Sequence, residues 1–359
     1  MNKLKTIAIF LPSIGYGGAE ISLSRIANYL ASRNIKVHLI VSKQIENELE
    51  FIDKSLIEVK YLNSKKTVLS FFKLYKEVNE IKPDILFSTL PTPNFLIVLM
   101  SYLKLIDSTV IIREANSNYI NWKGGIKNFI SKKMAVFSFN NSNGNIFISN
   151  ELKNNVSLFT TNENNIVIYN PVFVSNFLEL SNEKVNEFKK TKELWLTASR
   201  IEEQKGLNLF FDIVGNLKKE KDLEVLVIGS GSKLHDYKEK YSELPITFLG
   251  NVKNPLKFMK MADVFIFPSI REGLGNSLIE AQILGLPIVS SDCPSGPKEI
   301  VNLFSNGLIF KSGNKDDLLA RSKEIRGKQK VAVSKKIIQN FDIKTVGNRY
   351  LIFFEDALK

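Results

Sequence analysis

A chain of 359 residues, 44% of them hydrophobic, is too long for one ordinary core and suits two globular domains of roughly 170 residues each. The net charge of +12 comes from 49 Lys/Arg against 37 Asp/Glu; basic and acidic residues interleave and no nucleic-acid module is present, so no nucleic-acid partner is expected. The single cysteine, Cys293, excludes an intramolecular disulfide and fits a reducing cytoplasm, and no apolar run reaches the roughly 18 residues of a membrane-spanning helix.

The first predicted element is a strand at 6–11, with no small-residue cleavage site ahead of it, so the start is not read as a signal peptide. It runs into the glycine-rich turn Gly15-Tyr16-Gly17-Gly18-Ala19-Glu20 and a helix over 19–32. Strands follow at 37–41, 57–61, 85–88, 109–112, 146–148 and 166–168, with a helix over 67–80 among the connections. Right-handed crossovers between such alternating elements give a mostly parallel sheet covered on both faces. The apolar stretch 95–103 is too short to span a bilayer and reads as a buried helix.

Two stretches of this half mix cations with large apolar residues. Residues 64–76 place lysines around Phe71, Phe72 and Leu74, and residues 122–134 do so behind Trp122. Such a segment can rest on an anionic inner leaflet with its lysines at the headgroups, or be a core-facing helix with a solvated basic face. For 122–134 both readings stand; 64–76 is read as core-facing.

After Ile168-Tyr169-Asn170-Pro171 and a polar stretch to Lys192 the pattern restarts, which makes Pro171 the expected hinge between domains 1–170 and 171–340. The strand that begins at Leu194 ends in two cations, Arg200 and Lys205, ahead of Gly206 and a helix over 207–217. Arg supplies a planar fork for phosphate oxygens and Lys a mobile point charge. Ligands of open α/β sheets bind outside the carboxyl ends of strands, and three further turns fall there. The strand 225–228 leads into Gly229-Ser230-Gly231, another into Gly250-Asn251-Val252, and a third, from Ile288, into Asp292 to Glu299. Each glycine would let backbone approach a ligand closely. Cys293 lies in the last loop, and neither His38 nor His235 is placed to activate it, so it is read as structural.

The most informative stretch is Glu272-Gly273-Leu274-Gly275-Asn276-Ser277-Leu278-Ile279-Glu280, which follows an apolar strand and opens a helix. Unpaired amides around Gly275, Asn276 and Ser277, with the helix dipole, suit a diphosphate. Glu272 sits in the turn beside that anion, and Glu280, one helical turn further in, is placed to accept two ribose hydroxyl hydrogens. The closing segment 341–359 carries Val346, Tyr350, Phe353 and Phe354 at helical spacing.

The ordered set Arg200-x4-Lys205-Gly206, Gly229-x-Gly231, Glu272-x7-Glu280 and Asp292 to Glu299, with Gly15-x-Gly17-Gly18 near the start, resembles glycosyltransferase family 4 over essentially the whole chain. The stretch from Ser291 to Ile300 is most similar to members that build lipid-linked oligosaccharides and surface polysaccharides. The resemblance implies an α/β, GT-B architecture: two Rossmann-like domains with parallel sheets facing across a cleft, an acceptor-binding domain at 1–170, a donor-binding domain at 171–340 and a terminal helix, 341–359, that returns to the first.

It further implies a retaining hexosyltransferase that uses a UDP-sugar and a glycan or polyprenyl-diphosphate-linked acceptor, in the cytoplasm or peripherally on the inner membrane face. Arg200, Lys205 and Glu272 match its catalytic positions. Gly229, Gly231, Asn251, Val252, Gly275 and Asn276 match donor-binding positions, as do Ser277, Leu278, Glu280 and Pro297; Gly17 and Gly18 would reach the phosphates from the first domain. No Asp-x-Asp occurs, so neither metal nor cofactor is expected and the two cations would take the metal's place. Many family members carry a His after the strand at 109–112, whereas this chain has Arg113-Glu114-Ala115-Asn116. Glu20, Arg113, Glu114 and Asn116 are therefore the acceptor-side candidates.

Two other readings use the same architecture: a nucleotide-sugar epimerase, and a catalytically silent nucleotide-sugar binder that scaffolds a partner transferase. A dinucleotide oxidoreductase is disfavoured because Gly15-x-Gly17-Gly18 lacks the third spaced glycine.

Overall fold

A computed structural model of the chain describes residues 4–15, 17–45, 52–115, 126–220 and 222–359. It divides into two compact units, 1–171 with 340–359, and 172–339. Pro171 is thus the last residue of the first unit before the chain leaves it.

The first unit holds strands β1 (Thr6–Leu11), β2 (Lys36–Val41), β3 (Ile57–Tyr61), β4 (Ile85–Thr89), β5 (Thr109–Glu114), β6 (Gly144–Phe147) and β7 (Asn165–Val167). They form one parallel sheet in the order β3-β2-β1-β4-β5-β6-β7. Helices α1 (Gly18–Ala31), α2 (Phe71–Ile81), α3 (Pro91–Tyr102), α4 (Ile126–Asn141) and α5 (Asn150–Ser157) connect them. The central strands are buried along nearly their whole length, as continuous apolar runs require when both faces are covered. The edge strand β3 alternates instead, with Glu58 and Lys60 exposed. The helix expected over 67–80 is resolved into a 3₁₀ turn, Thr67–Ser70, followed by α2.

The second unit begins with α6 (Phe177–Ser181) and carries strands β8 (Glu193–Ala198), β9 (Leu223–Ile228), β10 (Ile246–Gly250), β11 (Val264–Phe267), β12 (Ile288–Ser291) and β13 (Gly307–Phe310). They too are all parallel, in the order β10-β9-β8-β11-β12-β13. Its further helices are α7 (Leu207–Glu220), α8 (Leu234–Lys240), α9 (Leu256–Met261), α10 (Asn276–Ile283), α11 (Pro297–Phe304), α12 (Lys315–Ile325) and α13 (Lys335–Gln339). Trp195, Phe210, Phe211 and Val225 lie in its core.

The chain then returns to the first unit as α14 (Ile343–Ala357). Asp342 caps it, accepting the amides of Lys344 at 2.8 Å and Thr345 at 3.3 Å. Its stripe Val346, Tyr350, Phe353 and Phe354 is buried, and Phe87 of β4 meets the rings of Tyr350 and Phe354 edge-on at 6.0 and 5.2 Å. Burying each such side chain contributes roughly 1.5–3 kcal/mol, so α14 is an integral part of the first unit's core.

Candidate active site

In each sheet the strands run in one direction, so their carboxyl ends share an edge, and the loops after β8, β9, β11 and β12 gather at that edge of the second unit. Backbone packing fastens them together. After β8, the Ser199 amide donates to the Ile228 carbonyl at 3.0 Å and the Ile201 amide to the Ser230 carbonyl at 2.9 Å. Glu202 accepts the Ser232 amide at 2.9 Å and its hydroxyl at 2.6 Å, and these bonds hold its carboxyl below the ordinary carboxylate range. A Cβ on Gly229 would stand 1.9 Å from the Ser199 oxygen, and one on Gly231 2.4 Å from the Ile201 oxygen. The glycines expected to admit a ligand are thus required first by the neighbouring loop.

The same device brings Lys205 to its place. Gly206 has φ +61° and a Cβ there would lie 2.2 Å from the Pro268 oxygen, while the Ile270 amide donates to the Gln204 carbonyl at 2.9 Å. With these two loops pressed together, Lys205 Nζ donates to Glu272 Oε1. Both side chains are nearly enclosed, at 12% and 11% exposure. Ser269 Oγ donates to the same carboxylate oxygen at 2.8 Å, and Ser291 Oγ holds the Ser269 carbonyl at 2.5 Å. Arg200, by contrast, is exposed.

Helix α10 starts directly beyond Glu272. Its N-cap, Gly275, has φ +79°, with the Phe267 ring 2.8 Å from where a Cβ would be. Asn276, Ser277 and Glu280 are half-buried, whereas Leu278 is fully buried. Leu278 therefore offers a ligand only its backbone. Pro297, first residue of α11, is likewise buried, and the Gly296 Cβ position lies 2.9 Å from the Gly273 oxygen, so the loop after β12 rests on the loop after β11. Cys293 is completely buried, in keeping with a structural thiol. At Gly250, φ is +71° and nothing lies within 4 Å of a Cβ; Asn251 beside it is exposed and Val252 half-exposed. Here the backbone borders open space.

In the first unit, Gly17 is the N-cap of α1 and Gly18 its first residue. The Glu20 carboxylate folds back over Gly17, with Oε2 2.2 Å from a Cβ position there, so the positive end of α1 already carries an acidic group. Arg113, expected on the acceptor side, is wholly buried. Its guanidinium donates to Asn170 Oδ1 at 2.5 Å and Thr89 Oγ1 at 3.3 Å, and its carbonyl accepts Asn94 Nδ2 at 3.1 Å. A guanidinium without water needs such acceptors; it ties β5 to β4 and to the segment before Pro171, inside the first unit. Glu114 is also buried, and Asn116 lies outside the described residues. Among the sequence candidates, then, Lys205, Glu272 and the start of α10 are brought together; Ser269, which donates to Glu272 from three positions upstream, and Glu202, which ties the loop after β8 to the loop after β9, were missed.

A model of "Glycosyl transferases group 1" matches residues 180–340, and one of "Glycosyltransferase Family 4" matches residues 16–175. The chain is a family 4 glycosyltransferase. A Campylobacter jejuni relative, N-acetylgalactosamine-N,N'-diacetylbacillosaminyl-diphospho-undecaprenol 4-alpha-N-acetylgalactosaminyltransferase, is 25% identical to this glycosyltransferase over 330 residues, 88% of each chain. An uncharacterized glycosyltransferase of Methanocaldococcus jannaschii is 31% identical over 144 residues, 38% of this chain and 36% of that protein. Among solved structures, Anabaena HepE in complex with UDP superposes with a TM-score of 0.75 at 17% identity, over 98% of this chain and 100% of that one. WaaG, a glycosyltransferase involved in lipopolysaccharide biosynthesis, does so with a TM-score of 0.70 at 14% identity, over 98% of each. At these identities the likeness carries the fold, two parallel-sheet Rossmann-like domains of the GT-B class.

Proposed function

We propose that this glycosyltransferase moves a hexose or N-acetylhexosamine from a UDP-sugar to a hydroxyl of a glycan acceptor carried on polyprenyl diphosphate. It would act in bacterial surface polysaccharide assembly, on the inner face of the cell membrane. The observation that carries the reading is the nearly enclosed Lys205–Glu272 pair beside the N-terminus of α10. A cation, an acid and a helix N-terminus stand within one loop cluster, where a sugar diphosphate needs all three.

The chemistry follows from these groups. The uridine base would lie along Gly250 to Lys253, the ribose on Glu280, and the diphosphate against Arg200, Lys205 and the amides of Asn276 and Ser277. Glu272 would take a sugar hydroxyl and in doing so release Lys205 to the phosphate. As the bond from C1 to the phosphate oxygen breaks, the two cations and the helix dipole stabilise the growing charge on UDP. The acceptor oxygen bonds to C1 from the same face, and its proton passes to the leaving phosphate, giving UDP and a glycoside with retained configuration. No step needs a metal. Support for the sugar class comes from the activity named for the C. jejuni relative, and for UDP from the HepE complex.

The test is calorimetric titration with UDP, GDP and NAD in the presence of chelator, wild type beside Arg200→Ala. Selective UDP binding, weakened at least roughly tenfold in the variant, supports the reading. Absence of UDP binding, or equal binding without Arg200, overturns the donor site.

A further inference from the structure

The first unit leaves large apolar side chains in water at one edge. Phe72 is 80% exposed and Leu69 63%, with Val68 at 51%; Phe129 is 62% and Ile130 51% exposed. Segment 64–76, read from sequence as core-facing, is so through Leu74, Ser70 and Ser64. The topology places both sets together. Connections α2, α3 and α4 lead to strands on the same side of their predecessors, so right-handed crossovers put them on one face of the sheet.

Each helix begins at the carboxyl edge of the strands and returns to the amino edge. The 3₁₀ turn and the start of α2 therefore stand at the carboxyl edge, as does the start of α4. Ser64 lies beyond that edge, its amide donating to the Ser42 carbonyl past the end of β2 at 2.8 Å. Helix α3 packs between the 3₁₀ turn and α4, which spaces the two apolar groups by roughly 20 Å.

Charge identifies the occupant. Lys65, Lys66, Lys132 and Lys133 are exposed around these side chains, the last with its ammonium 5.6 Å from the Phe129 ring centroid, and neither 64–76 nor 126–141 contains an acidic residue. Bulky apolar tips ringed by lysines, with no acid between them, match a layer of anionic headgroups over hydrocarbon. We propose that the surface formed by Val68, Leu69 and Phe72 with Phe129 and Ile130 docks on an anionic lipid bilayer. The carboxyl edge of the first unit's sheet then faces the membrane, where a lipid-carried acceptor presents its sugar. This names the surface for the membrane contact in the proposed function and rests on that part of it alone.

Flotation of the full chain with vesicles of phosphatidylcholine, with and without phosphatidylglycerol, tests it. Wild type is expected to float with the anionic vesicles and to be released by high salt. Leu69→Ser/Phe72→Ser and Phe129→Ser/Ile130→Ser should each bind at least roughly tenfold more weakly. Tyr102→Ser/Leu103→Ser removes exposed apolar groups at the amino-edge end of α3 and should bind as wild type. Circular dichroism checks that each variant is folded.

Wild type that ignores anionic vesicles, variants that bind unchanged, or a control that loses as much overturns the proposal. So does a dimer in solution that Leu69→Ser/Phe72→Ser dissociates. Vesicle binding without UDP binding leaves this surface standing and removes the donor reading; the reverse result removes only the surface.

Discussion

Lys205 donates to the carboxylate of Glu272, 67 positions further along the chain, and both side chains are nearly enclosed. Each group removes the cost of burying the other, so the pair is held in register before any ligand arrives. Truncating one member leaves an unmatched charge, which costs roughly 3–5 kcal/mol for a fully buried pair and about 2–3 kcal/mol here, where some water still reaches both groups. Lys205→Met and Glu272→Leu should each destabilise by about that much, and the double variant by clearly less than the sum. A double-mutant cycle in urea reads the coupling; strict additivity would show that the pair has no energetic meaning. Glu272→Gln should keep the fold and UDP binding while transfer falls by about 10²-fold or more; unchanged turnover would remove Glu272 from the chemistry.

The glycines of the second unit separate by what surrounds them. An added methyl at Gly229 meets the Ser199 oxygen at 1.9 Å with φ +127°, whereas at Gly250 it meets nothing within 4 Å and only the left-handed φ of +71° opposes it. Gly250→Ala should therefore cost about 1 kcal/mol, and Gly229→Ala several times more because two loops must part. Thermal unfolding distinguishes them. Equal losses would mean that the loop after β9 yields freely.

Much of this architecture was legible beforehand because buried parallel strands read as apolar runs: β1 and β3 begin and end where expected, and β2, β4 and β5 extend by one or two residues. The motif residues were legible as members of a loop cluster, but not their partners. Nothing local in Arg200 to Gly206 shows that Lys205 meets Glu272, since the meeting depends on Gly206 pressing against Pro268. Arg113 reads as an acceptor-side candidate because an arginine at a strand end normally reaches water, whereas here Thr89 and Asn170 give it acceptors inside the unit. Segment 64–76 carries a second apolar stripe besides its core-facing one. Leu74, with Val78 just beyond the segment, faces inward and Leu69 and Phe72 face outward, and periodicity alone does not say which stripe lacks a cover.

His38 on β2 gives the stability a pH dependence near neutrality. Burial pushes its pKa below the ordinary 6.5; Glu58, whose Oε2 lies 3.2 Å from Nδ1, and Glu77 oppose this, and Lys36 reinforces it. Below about 6.5 the unfolded chain binds the proton more readily than the folded one, so stability is full above that pH and declines as the pH falls through it. Unfolding free energy should thus drop between about pH 7.5 and 5.5, and His38→Gln should flatten that slope. NMR titration of the His38 ring should give a midpoint under 6.5; a midpoint above it would reverse the sign and end the prediction.

The return of the chain to its first unit depends on a glycine. A Cβ on Gly347 of α14 would fall 2.2 Å from Cδ1 of Tyr29 on α1, so the helix backbone lies directly on the tyrosine ring. Alanine is the better helix former by about 1 kcal/mol, yet overpacking at such a contact costs roughly 1–3 kcal/mol, and Gly347→Ala should be destabilising on balance. In a Tyr29→Ala background the clash disappears and only the helix preference remains, so the same substitution should become neutral or stabilising. Asp342→Ala, which removes the cap without touching Tyr29, should cost about 1 kcal/mol in either background. Urea unfolding of the six proteins decides it: if Gly347→Ala destabilises equally with and without the Tyr29 ring, the seat of α14 lies elsewhere on the helix.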